Sequence, residues 1–221
     1  MRVLALEQNK ISSLSVAKGF ADSSNNKLGF YENKGQIKNL SDGTLNSDVK
    51  FYLQNKDLNV YLLGSGIAYQ FNHFIYPEGY NSDIKGLKPD EMEKQLELQS
   101  KVKLETYRMD MQLKGANPNA HITTEGKSSD YINYYNHDVL DVHSYSKIIY
   151  QDVYPKIDWV IYTNSTGLKY DFVVHPGGDP SMIQLEFKDQ EKIHLDELGN
   201  LIFENQLGKI TEQKPVSLQN M

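Results

Sequence analysis

The chain contains no cysteine. That excludes a disulfide framework, thiol catalysis and any zinc or iron–sulfur site built on thiolates. No apolar run approaches the ~20 residues that a bilayer-spanning helix needs, so membrane insertion is not expected. No dense basic block occurs either: 23 Lys and Arg stand against 29 Asp and Glu, for a net charge of -6. Nucleic acid is therefore not an expected partner, because phosphate binding needs a concentrated positive surface. The most basic stretch, Lys94 to Arg108, is interleaved with Glu97 and Glu105 and describes a solvated face. Gly-x-Ser-x-Gly, a phosphate loop, a dinucleotide fingerprint and His-Glu-x-x-His are all missing. Gly64-Ser65-Gly66 is only a turn. The start, Met1 to Leu6, carries one basic residue and a short apolar stretch that Glu7 interrupts, too little for a secretory signal. Two readings stay open: an export signal has been removed and Met1 added, or the protein is cytoplasmic.

What is present is the composition of a folded chain. Over 221 residues, 39% are hydrophobic and 24% charged, enough for one large domain or two small intimate ones. Tyr is abundant at 15, with 8 Phe and one Trp. Tyrosine suits strands, where its ring packs on the pleat while its hydroxyl stays wet, and it also suits binding surfaces.

Residues 1–27 end in Asp22-Ser23-Ser24-Asn25-Asn26-Lys27 and describe a leader or linker, with a weak amphipathic segment from Ile11 to Phe20. From residue 28 to 221 short β-like runs alternate with Gly, Asn, Asp and Pro. Val49–Leu53, Leu58–Leu63 and Ile67–Phe71 suggest a meander. Tyr107–Leu113 and Leu168–Val174 place apolar residues at every second position, the period of a strand with one buried face. Pro89-Asp90-Glu91 opens a short helical insertion around residues 88–100, since proline and acids suit a helix start. Asp196–Asn200 joins two further runs as a hairpin. The pattern predicts an all-β, antiparallel, sandwich-like fold carrying that insertion, as one module over 28–221 or two intimate halves, 28–115 and 120–221.

Several short motifs follow one another in a recognisable order: Asn33-Lys34-Gly35-Gln36, Gly115-Ala116-Asn117-Pro118, Asn133-Tyr134, Asp152-Val153-Tyr154-Pro155-Lys156-Ile157-Asp158, Tyr170–Val174, Pro176–Pro180 and Gln213–Val216. The series resembles the N-terminal module of bacterial exported proteins that carry SBBP-type β-propeller repeats. It is similar also to Bacteroidota surface proteins with gliding-motility or type IX secretion C-terminal domains. The resemblance spans roughly residues 30 to 218. It implies export, a secreted or cell-surface location, and a fragment of a longer multidomain protein whose other domains are its partners. It implies no activity. The residues themselves describe corners: the residue before proline is held extended, and Pro-Gly-Gly-Asp-Pro is a turn.

Three candidate sites are readable. His137, Asp138, Asp141 and His143 offer imidazoles and carboxylates to a metal, and in a strand His137, Asp141 and His143 would share a face. The bland reading is a polar surface loop, and no cofactor is expected. Asp152 with Asp158 or Asp171 could do general acid–base work, the reading of a hydrolase, although turn-forming and strand-exposed aspartate is the simpler role. Tyr131, Tyr134, Tyr135, Tyr145, Trp159 and Tyr162 could form a stacking platform for sugar rings. Their bland reading is a tyrosine-rich core. The favoured expectation is a non-catalytic structural or interaction module. A carbohydrate-binding module is the alternative, with surface polysaccharide or protein as the outside partner, and a hydrolase comes third.

Overall fold

A computed structural model of the chain describes residues 9–11, 14–15, 29–39, 44–54, 57–164, 167–190 and 192–219. Most of the 1–27 leader, including nearly all of the Ile11–Phe20 segment, lies outside the described residues. The strands are β1 Asn9–Ile11, β2 Leu14–Ser15, β3 Phe30–Glu32, β4 Val49–Gln54, β5 Leu58–Leu63 and β6 Gly66–Ile75. After helix α1, Pro89–Ser100, come β7 Lys103–Leu113, β8 His121–Tyr134, β9 Val139–Tyr154, β10 Ile157–Asn164 and β11 Gly167–Val174. The last are β12 Leu185–Lys188, β13 Lys192–Leu195, β14 Leu201–Asn205, β15 Gly208–Glu212 and β16 Ser217–Gln219. The fold is all-β and antiparallel with one helix among the described residues, the class that alternation predicts. No helix among them is long and apolar enough to cross a membrane.

β9 organises the larger sheet. Tyr145 pairs with Lys127 of β8 and with Phe30 of β3; Tyr150 pairs with Ile122 of β8 and with Trp159 of β10. A strand has two edges, so β8 holds one edge while β3 and β10 follow each other along the other. Two wings leave from that shared edge, β3-β4-β5-β6-β7-β12 and β10-β11-β1-β16. The sheet curls accordingly into a half-barrel. Strands from the segments 28–115 and 120–221 pair directly, as β3 with β9 and β7 with β12.

One hydrophobic cluster forms the core. Phe30, Val60, Leu62, Ile67, Met111, Ile148, Tyr150, Trp159 and Ile161 are all fully buried there. The smaller sheet, β13-β14-β15-β2, contributes Phe203 and Ile210 to this cluster. Its Phe203 ring lies 4.6 Å from Phe187 of β12, and Gly208 sits so close to Phe71 that a Cβ would meet the ring at 2.8 Å. Glu212 of β15 accepts a hydrogen bond from the Tyr170 hydroxyl at 2.9 Å. Burial raises the pKa of its carboxyl to about 7, against the opposing effect of that hydrogen bond.

Two local features differ from simple alternation. β11 is buried on both faces: Lys169 and Asp171, on the side expected to be wet, are 6% and 1% exposed. Lys169 reaches the Gln213 side chain, from the segment between β15 and β16. The α1 insertion folds as its sequence predicts, with the Lys88 amide donating to the Glu91 carboxylate at 3.0 Å. It buries none of its own residues.

Candidate functional site

The motif residues build loops. Asn33 ties the turn after β3 to the start of β4: its Nδ2 donates to the carbonyls of Asn46 and Val49, and its Oδ1 accepts from the amides of Gly35 and Ile37. Gln36 is buried, and its amide donates to the Glu32 carbonyl at 2.6 Å. At the β9–β10 corner Asp152 accepts from the Lys156 amide, and Asp158 accepts from the Asp152 amide at 2.8 Å. The turn needs Asp152 and Lys156 at positive φ, 48° and 61°. The His-Pro-Gly-Gly segment docks on this corner, with the His175 amide donating to the Lys156 carbonyl and His175 Nε2 paired with Asp158 Oδ2 at 2.8 Å. Both carboxylates of the proposed acid–base pair are thus engaged in holding the chain. Asp171 is buried in β11 rather than strand-exposed.

The His137–His143 segment is not a continuous strand face. Tyr135–His137 form a 3-10 turn, and Asp138 and Asp141 take positive φ, 53° and 56°. Two left-handed residues break the two-residue period, so His137 does not join Asp141 and His143. His143 Nδ1 lies 2.9 Å from the Ser128 carbonyl, and its Nε2 lies 2.9 Å from Asp141 Oδ1, which occupies both ring nitrogens. Among the described residues no group of three or more His, Asp or Glu is placed to hold a metal ion.

The six aromatics do not form one surface. Trp159 is 0% exposed, with Tyr150, Tyr170 and Phe172 centred 5.3, 6.0 and 6.1 Å away. It belongs to the core, not to a platform. Tyr131 and Tyr135 are open to solvent, and Tyr131 leans over His143 at 5.8 Å. Tyr134 is half-buried, its hydroxyl 2.6 Å from that of Tyr52. Tyr162 is half-buried beside Asp171 on β11.

Of the six, Tyr145 lines a cleft described among these residues. An open hollow of about 520 Å³ lies between the β3–β4 side and β8, bordered by Glu32, Ser47, Phe51, Ile122, Thr124 and Tyr145. The Tyr145 ring meets Phe51 edge-on at 6.1 Å. Partial burial raises the Tyr145 pKa, and the charges of Glu32 and Asp141 add to the effect. Its phenol therefore stays protonated and able to donate. The sequence reading missed Glu32, Phe51 and Thr124, which no local pattern connects, because four strands bring them together. It also missed a ladder of rings at the end of β6. Tyr76 stacks on Tyr80 at 5.1 Å and on Phe74 at 6.3 Å. The spacing of Phe74 and Tyr76, two residues apart before Pro77, was a readable signal.

Fold and site together define an all-β module built on a curled antiparallel sheet with one open cleft described on its surface. Residues 30–221 match the family model described as Domain of unknown function (DUF7948), and the chain belongs to that family. Comparison with curated proteins and with solved structures brings no match.

Proposed function

We propose that this chain is a non-catalytic structural and interaction module of an exported, multidomain bacterial protein, secreted or held at the cell surface. One observation supports the reading most strongly. Three of the residues that offered chemistry in the sequence, Asp152, Asp158 and His143, are engaged in fixing backbone and neighbouring side chains. Groups so engaged position a scaffold; a general base needs a free lone pair aimed into a cleft. Its partners are the other domains of the same polypeptide, with polysaccharide or protein outside the cell. Location is tested by labelling intact cells that express the full-length protein with a membrane-impermeant amine reagent. Labelling before lysis is expected, and labelling only after lysis would contradict export. Turnover of chromogenic glycosides or esters that Asp158→Asn abolishes in a folded protein would contradict the non-catalytic reading.

A second reading, carbohydrate binding, is favoured by Tyr145. Of the five tyrosines and one tryptophan expected to form a platform, it is the one that lines the cleft.

A further inference from the structure

We propose that the cleft between the β3–β4 side and β8 binds a neutral sugar unit, with the Tyr145 and Phe51 rings as its apolar wall and Glu32 as its principal hydrogen-bond acceptor. The hollow measures about 520 Å³. That lies within the roughly 300–1,000 Å³ typical of small-molecule sites.

The state of the polar groups carries the inference. Asn33 and Lys50 on the same rim are already engaged: Asn33 holds four backbone groups, and Lys50 Nζ donates to the Ser47 carbonyl at 2.7 Å. The Glu32 carboxylate and the hydroxyls of Ser47, Thr124 and Tyr145 have no hydrogen-bond partner among the described residues, and all four converge on the hollow. Several polar side chains at other turns, such as Asp152 and Asp196, serve backbone amides instead. Here they are left available around Phe51, Ile122 and the Tyr145 ring. A pyranose matches that combination. It presents a flat C–H face to aromatic and aliphatic carbon, and a rim of hydroxyls that both donate and accept. A carboxylate is acceptor-only and takes two sugar hydroxyls, while the three protein hydroxyls answer in either sense. The negative charge of Glu32 also disfavours an acidic sugar at its own position.

The inference goes beyond the interaction-module reading and stands or falls separately from export. The test is titration of the isotopically labelled chain with cellobiose, maltose and N,N′-diacetylchitobiose, and with digalacturonic acid as the anionic control, followed by amide NMR. At least one neutral disaccharide is expected to give saturable shifts centred on Glu32, Phe51 and Thr124, and the acidic one none. Glu32→Gln and Tyr145→Ala should each weaken binding about tenfold or more, while Tyr135→Ala leaves it unchanged. Should Tyr145→Ala disturb the fold, Thr124→Val and Glu32→Gln carry the same test from the rim. Saturation by none of the neutral sugars would overturn the proposal. So would shifts centred on the Phe74–Tyr80 ladder, or binding that survives both rim substitutions.

Discussion

Tyr150 and Tyr145 stand on the same strand, five positions apart, and meet opposite fates. Tyr150 is 0% exposed against Trp159, and its hydroxyl has no hydrogen-bond partner among the described residues. Burial pushes its pKa far above the usual phenol range. Tyr145 is half-buried, with its ring on Phe51 and its hydroxyl on an open cleft. Strand propensity is the same for both; what differs is which wing lies across the edge of β9. The half that pairs with β10 enters a closed core. The half beside the short β3, whose three residues contribute only two pairs to β9, leaves a gap. In this fold the length of the neighbouring strand, rather than residue type, separates structural aromatics from available ones.

The sharpest way to break the comparison is at Trp159. Trp159→Ala should remove about 4 kcal/mol from unfolding stability, because a large ring packed on three others leaves a cavity that a β-sheet cannot collapse around. Urea denaturation checks it, and a loss below about 1 kcal/mol would mean the closed half is not closed.

The second effect is on pH. Glu212 has a native pKa of about 7 against an unfolded value near 4.5. Between these values the folded chain holds a proton that the unfolded chain has released, so stability falls as pH rises. The stabilisation is complete below about pH 4.5, falls by roughly 3 kcal/mol towards pH 7, and levels off above it. Tyr170, which donates to the carboxyl, and Tyr69, which faces it from β6, are the titratable neighbours, and both phenols are pushed far up by burial. Melts of Glu212→Gln across this range should lack the slope. A slope that persists unchanged would show that Glu212 is not the buried group responsible.

The smallest effect compares the two tyrosines directly. Tyr150→Phe deletes a buried hydroxyl without a partner and should stabilise the fold by about 1 kcal/mol. Tyr145→Phe should change stability by less than about 0.5 kcal/mol, since its hydroxyl is partly in water. Equal effects at both positions in denaturant unfolding would erase the distinction.

Much of this fold is legible in the residues. Met109, Met111 and Leu113 alternate in sequence and are buried in β7; Pro89 and Glu91 open the helix where they should; Asp196 closes its hairpin by accepting from the Leu198 and Asn200 amides. The burial of Trp159 was legible too, because Ile157 and Ile161 share its face at the strand period. Grouping it with the other aromatics by proximity in sequence ignored that phase. The histidine cluster was not legible, since the period fails wherever a residue such as Asp138 or Asp141 turns left-handed, and no residue type announces that reliably. The cleft was not legible at all. Glu32 and Thr124 are joined only by the pairing of β3 and β8 to opposite edges of β9. Nor could alternation foresee that Lys169 would reach Gln213 or that the second face of β11 would be buried.

The most direct test of the division along β9 uses the sole tryptophan as its own reporter. Steady-state fluorescence of the native chain is recorded with increasing acrylamide, and again in denaturant. A closed core predicts blue-shifted native emission that acrylamide barely quenches, and a red shift with strong quenching only after unfolding. Native emission quenched as readily as that of the unfolded chain would put Trp159 at the surface and contradict the account.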